Sequence, residues 1–225
     1  MRHLVEKIAK LPSNMLKNPA GERNKDPILE VLKKYIDPNA RSSLLEISSG
    51  VGLHSSYYAG LFPNTTFQPS EYEREMFSSI NAYKKHLQVT NVLEPIFIDI
   101  SKNLDDWSSE FQDKKFSDCQ NSFDYMMNIN MLHISPFVCA EGLFANSSKL
   151  LKKDGILFTY GPYAVDGVLE PESNISFNQS LRSRDSSWGI RDIADLKKLA
   201  AKNAMELLAT HNLPSNNKCL VWKKL

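Results

Sequence analysis

Apolar and polar residues alternate along this chain in short runs that switch between helical and extended spacing. Residues 1–24 are polar and poorly patterned, with Pro12, Pro19 and Gly21 as breakers. A helix is expected from Asp26, an N-cap with Pro27 in the first turn. Its apolar face is Ile28, Leu29, Val31, Leu32, Tyr35 and Ile36, and Asp37-Pro38-Asn39 stops it. The pattern then predicts a strand over 44–47, a helix over 54–61, a strand over 65–69 ended by Pro69, and a long helix over 71–88. Further strands are expected over 95–100, 123–130 and 155–160, with a helix from Ser135-Pro136 to about Leu151 between the last two. Strands that alternate with helices build a parallel sheet covered on both faces. The rhythm changes near the end. A helix over 191–203 is followed by extended segments over 206–210 and 218–223, joined through Pro214-Ser215-Asn216-Asn217, which predicts an antiparallel hairpin.

A length of 225 residues suits one α/β domain over 25–225, preceded by an N-terminal segment over 1–24 that is flexible or covers the site. Charge narrows the partners. Lys plus Arg number 27 against 26 Asp plus Glu, which argues against a dominant electrostatic grip on nucleic acid. No apolar run approaches the roughly 18 residues of a membrane span. The charged start Met1-Arg-His-Leu-Val-Glu-Lys-Ile reads as cytoplasmic, and the Asn-x-Ser/Thr sequences at Asn64, Asn146, Asn174 and Asn178 as idle. Cys119, Cys139 and Cys219 are odd in number and widely spaced, so neither a disulfide framework nor a metal pair is expected. A monomer is the expected state.

The most informative stretch is Leu44 to Ser55, LLEISSGVGLHS: a strand ending in an acid, a turn of small residues, then a helix. Such a turn lets backbone approach a ligand closely, and the helix N-terminus favours negative groups. A second acid, Glu71, stands 71 − 52 = 19 residues after Gly52, near the spacing at which an acid meets ribose hydroxyls. Ser55 occupies the third glycine position of the dinucleotide pattern, an imperfect match. Glu46 discriminates further. Beside a pyrophosphate at ~5 Å it would be repelled by roughly 3 kcal/mol at an effective dielectric of 20. S-adenosylmethionine (SAM) has no phosphate and carries two positive groups that an acid favours. Against this stands the plain alternative that any strand-turn-helix contains small residues.

At these residues the chain resembles the class I SAM-dependent methyltransferases. Glu46-Ile-Ser-Ser-Gly50-Val-Gly52 is similar to their first motif, with Ser48 where many members have glycine. The resemblance implies a Rossmann-like seven-stranded sheet with an antiparallel last strand. It also implies a SAM site from Glu46, Ser48, Ser49, Gly50, Gly52, Glu71, Asp99 near the adenine, and Asn130-Met131 after the fourth strand. More narrowly, Glu22–Pro27, Ser48–His54, Gln68–Glu71, Asn130–Pro136, Tyr160–Tyr163 and Asn216–Cys219 resemble the methyltransferase-like 26 proteins, whose substrate is not established.

Methyl transfer from a sulfonium mainly needs in-line positioning, and a base only where the nucleophile starts protonated. Asn128 and Asn130 share a face of their strand, and Asn130, at its end, is the cofactor or catalytic candidate. His133 is the candidate base, with a loop histidine satisfying backbone carbonyls as the alternative. Tyr160 is a catalytic candidate, and Tyr163 a wall of the substrate pocket. His54 is set to hold the cofactor's carboxylate, or merely to cover the loop. Arg23 and Asn24 are placed to close the site. The connection over 163–189 reads as an ordered substrate cover, bringing Asn178 and Arg182, the latter a partner for an acidic group or a plain surface residue. Met126, Met127 and Met131 read as core and pocket lining, and no metal site is expected. The function expected is transfer of a methyl group from SAM to a small molecule. The competing readings are a SAM-binding regulatory protein without transfer activity and a nicotinamide-dependent reductase.

Overall fold

The computed structural model describes residues 12–225, and the chain divides into two compact units at Ile98/Asp99. In the first, helix α1 (Pro19–Leu32) is followed by β1 (Ser42–Ile47), α2 (Leu53–Ala59), β2 (Thr65–Glu71), α3 (Phe77–Leu87) and the short β3 (Ile96–Phe97). The three strands are parallel, with Leu44 opposite Phe67 and Ser70 opposite Ile96. Leu44, Leu45, Glu46 and Ile47 are all buried, as a strand covered on both faces requires.

Three boundaries differ from the sequence pattern for local reasons. Helix α1 begins at Pro19, not at Asp26, because the Asn18 side chain accepts from Gly21 N at 2.8 Å and Pro19 needs no donor in the first turn. Pro27 therefore lies inside the helix. Strand β2 runs through Pro69 because Ser70 takes up the pairing. Its hydroxyl donates to Glu46 O at 2.7 Å, its amide to Ser49 Oγ at 3.2 Å, and its carbonyl accepts from Ser49 N at 2.8 Å. Strand β3 stops at Phe97 because Asp99 turns the chain: its Oδ1 accepts from Ser101 N at 3.0 Å and from Ser101 Oγ at 2.6 Å.

In the second unit a small hairpin, β4 (Glu110–Phe111) and β5 (Lys114–Lys115), precedes β6 (Phe123–Ile129), α4 (Phe137–Leu150) and the long β7 (Leu151–Ala164). Helix α5 (Glu172–Arg184), β8 (Arg191–Asp192), α6 (Ile193–Lys202), β9 (Met205–Leu213) and β10 (Asn217–Lys224) complete it. Strand β6 is parallel to β7, β10 is antiparallel to both β7 and β9, and β8 pairs in parallel with the end of β7. The fold is thus mixed α/β and Rossmann-like, mostly parallel, with the expected antiparallel C-terminal hairpin. The 163–189 connection contains a 13-residue helix, α5, where the pattern offered only a loop. Its apolar face is weak, so periodicity could not announce it.

The core of this unit centres on Trp222, fully buried and edge-on to Phe144 at 4.9 Å. Its indole Nε1 donates to Thr159 Oγ1 at 3.0 Å. Thr159→Val keeps the shape and leaves that donor without a partner. The expected cost is about 1–3 kcal/mol, read from urea denaturation. Met126, Met127 and Met131 are buried, and the three cysteines are free. Among the described residues no helix is long and apolar enough to cross a membrane.

Candidate functional site

The turn after β1 is organised by two acids of the first unit. Glu46 is 1% exposed, and Ser55 in the first turn of α2 donates its hydroxyl to Oε2 at 2.5 Å. Its other oxygen, Oε1, is sealed from solvent with no hydrogen-bond partner. Burial pushes its pKa up to about 7, against the opposing hydrogen bonds from Ser55 and Ser49, and the Glu71 carboxylate adds repulsion. Glu71 laces the turn from the end of β2. Its Oε2 accepts from Gly50 N at 2.6 Å, and its Oε1 accepts from Tyr72 N at 2.8 Å and Glu73 N at 3.4 Å.

Ser48, Gly50 and Gly52 all lie in the left-handed region, at φ 59°, 55° and 91°. The two glycines do different work. A Cβ on Gly52 would stand 2.5 Å from Ile80 Cα, so that glycine lets the turn pack on α3. A Cβ on Gly50 would meet nothing within 4 Å: this backbone faces open space. Ser48 holds the same conformation with a side chain, a cost of roughly 1–2 kcal/mol.

The sequence leaves His54 either as a holder of the cofactor's carboxylate or as a cover of the loop, and its surroundings are those of a buried tie between helices. Its ring is buried and its Nε2 donates to Asn24 Oδ1 at 2.7 Å, tying α2 to α1. Burial, with Lys25 nearby, depresses its pKa to about 4. The neutral ring keeps only the Nδ1 lone pair, which repels an anion. Asn24 is likewise committed to His54, while Arg23 is exposed on α1.

The second unit holds the remaining candidates. Asn130, at φ 62°, follows directly on β6 and donates its backbone N–H to Tyr160 O at 2.9 Å. Its Oδ1 lies 3.9 Å from where a Cβ on Gly161 would stand, and His133 Nδ1 lies 3.2 Å from the same point. Asn130, His133 and the Tyr160-Gly161 backbone are therefore one cluster. Met131 is buried, its sulfur accepting from Ser135 Oγ at 3.0 Å. Asp99 is half-buried with Oδ1 used in its turn.

His133 packs edge-on against Phe177 at 5.6 Å, and its carbonyl accepts from Gly189 N at 3.0 Å. Burial, then the Arg191 charge, lowers its pKa to about 4, so it is neutral at pH 7 and a weak base. Tyr160 and Tyr163 are buried, and burial raises the Tyr163 hydroxyl above its ordinary range. Asn178 of α5 accepts at Oδ1 from Ile190 N at 2.9 Å. Arg182 is exposed one turn further on.

Two contributors escaped the sequence pattern. Ser55 holds Glu46, and its position one turn into α2 behind a buried acid was a usable signal. Arg191 lies buried behind the 132–134 turn, donating to the carbonyls of Leu132, Ser135 and Ser187, and nothing in its sequence neighbourhood announces this. Among the described residues no group of three His, Cys, Asp or Glu side chains is placed to hold a metal ion.

Solved structures share this architecture at low identity. A provisionally assigned sarcosine dimethylglycine methyltransferase from Galdieria sulphuraria superposes with a TM-score of 0.69 at 11% identity, over 99% of this chain and 97% of that one. The YcgJ protein of Bacillus subtilis gives 0.64 at 15% identity, over 88% and 98%. An O-methyltransferase family protein from Burkholderia thailandensis gives 0.70 at 14% identity, over 91% of this chain and 57% of that one. These likenesses establish the shared fold. A family model matches residues 15–224, and the chain belongs to that family, described as "Protein of unknown function (DUF938)".

Proposed function

We propose that this protein is a SAM-dependent methyltransferase acting on a small molecule. The observation that carries the reading is the pairing of a sealed, partnerless carboxylate oxygen on Glu46 with the open face of Gly50 on the adjoining turn. An ionised carboxylate sealed in this way is costly, and a cationic ligand group on the adjoining turn stabilises its charge through space. The methyltransferase-fold neighbours support the same reading, as does the resemblance to the methyltransferase-like 26 proteins.

The residues present fit SAM. Glu46 would face a positive group, the Gly50 turn would take the amino-acid portion, and Glu71 keeps lone pairs for ribose hydroxyls while holding the turn. When bound, SAM supplies an electrophilic methyl on a sulfonium. The chain's own part is positioning. With His133 a weak base and the Tyr163 hydroxyl resistant to ionisation, an acceptor that arrives with a free lone pair, such as a neutral amine, suits the site better than an alcohol. The same weakness of the candidate base favours, as a second reading, a SAM-binding regulator without transfer.

Calorimetry with SAM, S-adenosylhomocysteine and NADPH tests the cofactor. SAM binding is expected, weakened at least tenfold in Glu71→Ala, which loses both the ribose acceptor and the tether on Gly50. NADPH binding without SAM binding would overturn the proposal. Labelled-methyl transfer into a metabolite extract then separates enzyme from regulator.

A further inference from the structure

Two arginines of the second unit carry charge that the protein does not neutralise. The guanidinium of Arg191 donates Nε to Leu132 O at 2.9 Å and Nη2 to Ser135 O and to Ser187 O, three neutral carbonyls. Its two Nη1 protons have no partner among the described residues, and that nitrogen is not one of the sealed, partnerless atoms. Arg182, exposed on α5, lies over Gly189: its Nε is 3.1 Å and its Nη2 3.5 Å from where a Cβ would stand. It is near enough to depress the pKa of Arg191 further. Two like charges held together, with no carboxylate among the described residues in an ion pair with either, cost free energy that an anion would offset. Burial beside three carbonyls makes Arg191 more than a solvated surface charge.

The surroundings define the rest of the ligand. Gly189 N is bound to His133 O, and Ile190 N to Asn178 Oδ1, so the segment that brings Arg191 in is pinned to both the 132–134 turn and α5. Exposed apolar side chains flank it. Phe177 is 40% exposed and edge-on to His133, and Phe137 is 36% exposed with the Arg191 guanidinium 5.6 Å from its ring. Ile134 is exposed on the same turn.

We infer that Arg182 and Arg191 form a binding site for the carboxylate of an apolar, ring-bearing small molecule whose body lies against Phe177 and Phe137. The amides of Gly189 and Ile190 are already committed, so the charged donors at the site are guanidinium protons, whose planar pair matches the two oxygens of a carboxylate. Calling this ligand the methyl acceptor rests on the proposed transferase activity; the site itself does not.

The test titrates the full chain with 3-phenylpropionate, 3-phenylpropionamide and 2-phenylethyl phosphate, followed by ligand-observed NMR. The carboxylate is expected to bind at least tenfold tighter than the amide and to weaken with salt. Arg182→Ala, an exposed change that leaves the fold intact, should remove at least fivefold of that preference. Arg184→Ala, whose side chain stacks on Trp188, should leave it unchanged. Equal binding of acid and amide, binding of none of the probes, tighter binding of the phosphate, or an unaltered preference in Arg182→Ala would each overturn the assignment. SAM calorimetry on the same samples is read separately. Loss of SAM binding there overturns the transferase reading while carboxylate selectivity still stands or falls by the NMR.

Discussion

Gly52→Ala should cost the fold several times more stability than Gly50→Ala. At Gly52 the new Cβ would lie 2.5 Å from Ile80 Cα, a backbone atom that no rotamer change can move, in a residue at φ 91°. The conformational term alone is roughly 1–2 kcal/mol. With the overlap on α3, the total is on the order of 3–5 kcal/mol, a large share of a typical domain's stability. At Gly50 the conformational term is similar, yet the Cβ meets no atom within 4 Å. Its stability should fall by only that roughly 1–2 kcal/mol. The added methyl instead occupies the space into which the turn opens, so SAM affinity should drop at least tenfold. Urea denaturation and calorimetry on both variants read the contrast. Normal SAM binding by Gly50→Ala would show that the open face of the turn is not where the cofactor lies.

The contrast also shows what the sequence could and could not reveal. Glu46, Gly50, Gly52 and Glu71 were legible because a turn that approaches a ligand needs small residues, and because the acids stand at fixed distances along the chain. Which glycine serves packing and which faces open space was not legible, since that depends on Ile80, 28 residues further on. The partner of His54 was not legible for the same kind of reason: Asn24 lies 30 residues earlier, in a stretch without a clear pattern. Helix α1 was placed too late because two prolines compete as starts, and only the Asn18 cap decides between them. The hairpin of β9 and β10 was plain because alternation survives on an edge, where β9 is buried on one side only. Helix α5 was invisible because its buried contacts, Asn174 and Leu181, are too few to set a period.

Binding of SAM should expel a proton from Glu46. In the free protein its pKa is about 7, well above the ordinary 4.5, because an ionised carboxylate is poorly solvated there. Its effect on stability is therefore full below about pH 4.5 and lost as pH rises toward 7, a difference on the order of 3 kcal/mol. His54 and His133 work in the opposite sense. With pKa values near 4 against 6.5, each stabilises the fold above pH 6.5 and loses that contribution as pH falls toward 4. The two histidines outweigh one glutamate, so overall stability rises between pH 4.5 and 6.5, and Glu46 shows only as the steeper rise left in Glu46→Gln. Ligand binding isolates it better. A cationic group beside the sealed oxygen favours the ionised form, so SAM affinity should grow up to tenfold per pH unit from about 5 to 7 and then level. Close to one proton should leave per SAM bound at pH 6, read by calorimetry in buffers of different ionisation enthalpy. Glu46→Gln should bind SAM weakly and without that slope, because an amide neither titrates nor offers a full charge. An affinity flat across this window in the unaltered protein would place the cofactor's positive group somewhere other than Glu46.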